Sequence, residues 1–182
     1  DKLEAINTKL HEAGADGLVL CALDEIAWTF NIRGNDVEYN PVVVSYAFIS
    51  EEETVLFILP GKITHEMSKN LQAEGVTLAD YSKITSYLAK LKDKTRLYID
   101  PKKTNFALYN ALPFSCEVIE GVSPVAMLKS IKNEKEIEGF SNAMVRDGVA
   151  LTRFFIWREK SLSAGKTLTE ISISEKLAEF RN

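Results

Sequence analysis

The chain has 182 residues, 46% of them hydrophobic, enough for one full core and a second, smaller element. It carries 22 basic and 26 acidic residues for a formal net charge of -4, and no stretch interleaves Lys and Arg with aromatics, so nucleic acid is not an expected partner. The longest apolar runs, Val42–Ile49 and Val55–Leu59, fall far short of the roughly 20 residues of a membrane helix, and no membrane partner is expected either.

The chain opens on Asp1-Lys2-Leu3, without an initiator Met or the apolar stretch of a signal peptide, and is expected to begin inside a longer gene product. Leu3, Ile6, Leu10 and Ala13 recur at helical spacing and Gly14 ends that helix. Gly17–Cys21 reads as a buried strand. Asp24 is positioned to cap a helix through Phe30 that closes near Gly34. Val42–Ile49 and Thr54–Leu59, rich in β-branched and aromatic residues, form an expected antiparallel hairpin about the polar turn Glu51–Glu53.

Helices are expected over 63–74, closed by Gly75, and over 83–92. Arg96–Asp100 is a strand stopped by Pro101, a short helix spans 105–112 before Pro113, and Cys116–Ile119 is the last strand. Strands alternating with helices around one hairpin describe an α/β domain with a mixed sheet, assigned to residues 1–125. Residues 126–182 are assigned to a separate helical segment, and from Asn133 onward no strand pattern is visible. Asn133 with Glu136 resembles a capping box opening a helix to about Leu162, roughly 45 Å long. Its apolar stripe is Ile137, Phe140, Met144, Leu151 and Phe155. Thr167 with Glu170 opens a second helix through Phe180. Two helices alone cannot bury such stripes. Either they dock on the first domain or their intended partner lies outside this chain, and the second view is the expectation.

No complete active site is visible. The two histidines, His11 and His65, sit on expected helices with no second ligand at coordinating spacing and read as solvent-facing. H-E-x-x-H, C-x-x-C, Walker A and G-x-S-x-G patterns are missing, so no catalytic residue and no metal ligand is assigned. The triplet Glu51–Glu53 reads as a solvated turn rather than a cation site. Cys21 and Cys116 lie far apart in apolar segments and read as core thiols in a reducing, cytoplasmic setting, with a disulfide or a reactive thiol as alternatives. The segment Leu23–Gly34 stands out: Asn31 and Arg33 with Gly34 leave a core helix on a loop. There Arg33 can meet a carboxylate of a substrate or neighbouring domain, or tie the loop internally to one.

That segment, with Asn40-Pro41 and Ser45-Tyr46-Ala47, resembles the L-D-E-I-A-W-x-x-N-x-R-G…N-P…S-Y-A pattern of the middle domain of the aminopeptidase P (Xaa-Pro aminopeptidase) family, in its three-domain form. Leu128–Ile137 is similar to that family's entry into the catalytic domain, and Arg146–Leu151, Trp157, Glu159, Thr169–Ser172 and Glu179–Arg181 continue the likeness. The resemblance implies a creatinase/prolidase N-terminal fold with a ribonuclease H-like motif, followed by the first helices of a pita-bread domain.

It implies an intact parent that removes the N-terminal residue from peptides with proline second. Two divalent metal ions, manganese expected, would activate the water. The family's two Asp, one His and two Glu ligands lie downstream of the E-F-R helix and have no counterparts among these positions. The chain itself is therefore expected to hold no cofactor and to be inactive, a structural and assembly part. Asn31, Arg33, Lys129 and Lys132 are its candidate cleft-rim or interdomain residues, with the two lysines tying the hinge to carboxylates. Expected partners are the remaining domains, proline-containing peptides through the parent, and a second copy in a homodimer. The rival readings are a pseudo-enzyme of the same fold, histone-chaperone-like, or a binding module acting through the hairpin edge or the 31–34 loop.

Overall fold

The computed structural model describes residues 2–182. It divides into two compact units, one ending at Ile131 and the other running from Lys132 to Asn182.

In the first unit α1 (Lys2–Glu12) leads to β1 (Gly17–Leu20) and α2 (Leu23–Thr29). The hairpin strands β2 (Ser45–Ser50) and β3 (Thr54–Ile58) follow, then α3 (His65–Ala73) and β4 (Val76–Asp80). A 3₁₀ turn at Tyr81–Lys83 runs into α4 (Ile84–Leu88). β5 (Arg96–Ile99), α5 (Phe106–Tyr109), β6 (Glu117–Glu120) and α6 (Pro124–Ser130) complete the unit. The strands form one six-stranded mixed sheet in the order β4-β3-β2-β1-β5-β6. β2 runs antiparallel to β1 and β3, whereas the β1–β5, β5–β6 and β3–β4 pairs are parallel. The expected α/β class with a mixed sheet flanked by helices is the observed one.

Alternation along the strands decides which helices cover which face. Leu18, Leu20, Ala47, Ile49, Leu56, Ile58 and Val76 pack with Ile6 and Leu10 of α1, Ile26 of α2, Leu71 of α3 and Val125 of α6. Val19, Phe48, Val55, Phe57, Leu97 and Ile99 pack on the opposite face with Ile84 and Leu88 of α4 and Leu108 of α5. Central strands buried on both sides read as continuous apolar runs, which is why β3 was legible as a strand.

Several expectations need correction. Val42 and Val43 are buried but precede β2, because the chain is still returning from the 31–41 loop; an added Cβ on Gly34 would stand 2.4 Å from Val43 Cγ2. The strand β4 has no counterpart in the sequence reading. It begins directly after Gly75, which ends α3 at φ +80°, and only Val76 and Thr77 of its five residues are β-branched, Ala79 and Asp80 being poor strand formers. The helix expected over 83–92 is regular only through Leu88. Asp24 does not cap α2; Ala22 holds that position without a side-chain bond and Asp24 lies within the first turn. Residues 126–130 belong to α6, which packs on α1 and α2, so the first unit extends beyond residue 125. Cys21 and Cys116 are half-buried free thiols rather than fully buried ones.

The second unit consists of α7 (Glu134–Ser163), 30 residues long, and α8 (Glu170–Arg181), 12 residues long. Asn133 and Glu136 form the expected capping box reciprocally. The box of α8 is made by Thr169 and Ser172, not Thr167 and Glu170. Arg181 Nε donates to Asp147 Oδ1 at 2.7 Å between the two helices, and the Lys176 ammonium lies 5.9 Å from the Trp157 ring centroid. Ile137, Phe140, Met144 and Phe155 stay exposed, and the buried line of α7 is Ala150, Phe154 and Ser161. A stripe spaced for burial therefore faces solvent over most of its length.

Candidate functional site

Three parallel strands, β1, β5 and β6, end side by side, and the loops leaving them bring together the polar residues of the first unit. The carboxyl edge of such a sheet is where α/β folds usually place their chemistry. Here Glu25, in the first turn of α2, is 1% exposed. Its Oε2 accepts from Ser123 Oγ at 2.6 Å and its Oε1 from Lys103 Nζ. Asp100, just beyond β5, accepts from the Ser123 amide at 3.1 Å and the Lys102 amide at 3.0 Å. Each buried carboxylate oxygen thus has a donor, which the cost of burying charge requires. The Glu25 carboxylate in turn holds the Lys103 ammonium above its ordinary pKa.

Nothing at this edge is activated. Burial pushes the Cys21 thiol up, against the opposing hydrogen bonds of Thr104 and Asn105. Burial, and after it the neighbouring Tyr81 hydroxyl, push Tyr46 up to about 12; the two rings stack with centroids 5.0 Å apart, and Asn105 Nδ2 donates to the Tyr46 hydroxyl at 3.0 Å. Ser123 is 1% exposed with its hydroxyl committed to Glu25, so it is unavailable as a nucleophile. The arrangement fastens loops together rather than supplying an acid, a base or a thiolate. Among the described residues no three His, Cys, Asp or Glu side chains converge in a way that could hold a metal ion, so a dinuclear centre does not fit the residues present. Among the described residues no helix is long and apolar enough to cross a membrane.

The four residues singled out from sequence are not assembled into one site. Asn31 is exposed and adopts φ +52°, a left-handed conformation that Asn tolerates better than most residues. Arg33 is also exposed, but its Nη1 donates to Ala27 O at 2.7 Å and Ile32 O at 2.9 Å. Its partners are main-chain carbonyls, not the expected carboxylate. The Ala27 carbonyl belongs to the last turn of α2, where no intrahelical donor remains and a cation is favoured by the helix dipole. The rest of the loop is equally fastened, since Asp36 accepts from the Val44 amide at 2.9 Å and pairs with Lys62. Tyr39, at φ +61°, is left 93% exposed at its tip.

Lys129 of α6 pairs with Asp24. Partial burial works to raise Asp24, and the Lys129 ammonium outweighs it, leaving that carboxyl below its ordinary value. Lys132 is half-buried and opens the second unit. His11 and His65 are exposed, as expected. The turn carboxylates Glu52 and Glu53 engage Lys92 and the Tyr87 hydroxyl, at 2.8 and 2.6 Å. The buried Glu25–Lys103–Ser123–Asp100 cluster escaped the sequence reading. Its one local signal is an acid directly before the apolar pair Ile26-Ala27; the partners lie far along the chain and only the fold joins them.

Known proteins resemble this chain in sequence and fold. The chain is 38% identical over its whole length to Xaa-Pro aminopeptidase 1 of Dictyostelium discoideum and 36% identical to Xaa-Pro aminopeptidase ApepP of Drosophila melanogaster. It spans 29% and 30% of the length of those relatives. Among solved structures it resembles the X-prolyl aminopeptidase of Caenorhabditis elegans, described as a cytosolic enzyme with a di-nuclear active site. The TM-score is 0.86 at 30% identity, covering 98% of this chain and 30% of that one. The Xaa-Pro dipeptidase of Bacillus anthracis shares the fold, with a TM-score of 0.69 at 20% identity over 99% of this chain and 48% of that one. Residues 1–136 match the model of the Creatinase/Prolidase N-terminal domain, and the chain belongs to that family.

Proposed function

We propose that this chain is the non-catalytic scaffold segment of a longer Xaa-Pro aminopeptidase, which removes the N-terminal residue from peptides with proline in second place. The observation that carries the reading is the alignment of the whole chain with Xaa-Pro aminopeptidases, from the L-D-E-I-A-W segment through both helices of the second unit. The hydrolytic chemistry belongs to two divalent metal ions, manganese expected, held by residues outside this chain; they would supply the activated water. The setting is cytoplasmic. This chain's own part is to carry the domains of the parent. The exposed stripe Ile137, Phe140 and Met144 supports that reading, because a helix patterned for burial and left uncovered calls for further parent structure to cover it. In the parent, Asn31 and Arg33 stand at the cleft rim or an interdomain face, and Lys129 and Lys132 at the entry to the catalytic domain. A second copy of the parent in a homodimer is the further partner.

The test is release of the N-terminal residue from an Xaa-Pro peptide by the full-length parent, after chelation and after manganese is restored, beside the isolated chain. Turnover lost on chelation and regained with manganese, with none from the isolated chain, is the expected result. Turnover that tracks the isolated chain through repurification would overturn the scaffold role. An inactive parent that still binds the peptide or another protein would point to the pseudo-enzyme or binding-module reading.

A further inference from the structure

Helix α6 has only seven residues, well below the roughly 12–15 that an isolated helix needs in water, so its order depends on what holds it. Apolar packing supplies part of the hold. Val125 is its one buried residue and Leu128 is partly covered, while Met127 is 64% exposed and Ile131, just after the helix, 76%. Polar contacts supply the rest, and their arrangement is unusual.

Ser123 occupies the N-cap position, where a serine hydroxyl ordinarily accepts from the first free amides of the helix. That bond is not made. The hydroxyl donates to Glu25 instead, and the Ser123 amide donates to Asp100. Near the other end of the helix Lys129 pairs with Asp24. Adjacent carboxylates on the first turn of α2 thus grip α6 at both ends, one contact buried and the other at the surface.

We propose that Asp24 and Glu25 form a two-point latch that makes α6 part of the rigid first unit and thereby sets where the joint to the second unit lies. Latched, the first unit continues to Ile131 and the link into α7 is only Lys132 and Asn133. Unlatched, the segment from Gly121 onward comes loose and the joint lengthens by the whole helix. Neither the family match nor the scaffold role requires this. The latch is a conformational device resting on the carboxylates themselves.

Amide hydrogen exchange on the whole chain tests it, comparing Lys129→Ala, Ser123→Ala and their combination with Lys62→Ala, which breaks a pair elsewhere in the same unit. Exchange across Ala126–Ile131 should quicken about threefold for Lys129→Ala, as for an exposed ion pair. It should quicken about tenfold for Ser123→Ala, which leaves a buried carboxylate oxygen without its donor. The two factors should multiply in the double variant, to about thirtyfold, while amides of β1 and β5 stay within about twofold. Lys62→Ala should leave α6 unchanged. The latch is overturned if α6 exchange does not change in the double variant, if β1 and β5 quicken as much as α6, or if Lys62→Ala loosens α6 equally. Should the Ser123 variants not fold, Lys129→Ala decides alone, since the pair it removes is at the surface and no quickening of α6 would refute the grip at that end.

Discussion

The two units of this chain treat their apolar residues in opposite ways. In the first, a six-stranded sheet is covered on both faces, and side chains as large as Phe57 and Leu56 are 1% and 0% exposed. In the second, Ile137, Phe140 and Met144 recur at helical spacing yet remain 54%, 59% and 67% exposed. The difference lies in what each element can offer its neighbour. A sheet presents two broad faces, so every helix crossing between strands has somewhere to bury its stripe. A 30-residue helix beside a 12-residue one has more apolar surface than its companion can cover. Periodicity makes a helix; burial needs a second surface, which the first unit gives its large apolar side chains and α7 finds only along Ala150, Phe154 and Ser161.

The largest expected effect exploits that contrast directly. Phe57→Ala removes a ring that packs edge-on against Tyr87 with centroids 5.2 Å apart, and should cost the first unit about 3–5 kcal/mol in chemical denaturation. Phe140→Ala, on the exposed stripe, should change stability by no more than about 0.5 kcal/mol. Equal costs at the two positions would break the comparison.

A smaller effect separates the units thermodynamically. Thr169→Ala removes the hydroxyl that accepts from the Ser172 amide at 3.1 Å, and should cost α8 about 1 kcal/mol, read as lost helical circular dichroism. The unfolding of the first unit should not move. A joint shift of both transitions would show that the units unfold as one.

The smallest effect is a pH dependence confined to the first unit. The Arg96 guanidinium and amide hold the Asp16 carboxyl below its ordinary 3.8, with contacts of 2.7 and 2.8 Å. A depressed carboxyl stabilises the fold fully above its unfolded value, and that contribution disappears as pH falls through the lower folded value. Both side chains are nearly half exposed, so the effect is modest and weakens in salt. Asp16→Asn should flatten the acid limb of the stability curve below about pH 4. An acid limb unchanged in that variant would place its origin elsewhere.

These contrasts bear on how the chain could be read before its fold was known. Strands rich in valine, isoleucine and phenylalanine, glycines at helix ends and the Asn133–Glu136 box are local patterns, and the elements they foretell are present with shifted ends. β4 lacked such a pattern, since its place at the sheet edge asks little of its side chains. Arg33 was identifiable as a tethering residue, but its partner was not. A helix carbonyl left free at Ala27 has no mark in the sequence, whereas a carboxylate does.

What the sequence by itself determined was the class of the first unit, the helical character of the second and the family, because periodicity and motif spacing act along the chain. What only the tertiary structure decided was which charges meet. Glu25 from the first turn of α2, Asp100 and Lys103 after β5, and Ser123 after β6 converge because β1, β5 and β6 run parallel and end at one edge. The burial of Glu25 and the exposure of Phe140 have the same origin. Each depends on whether another part of the molecule stands opposite, and that is a property of three-dimensional neighbours rather than of sequence position.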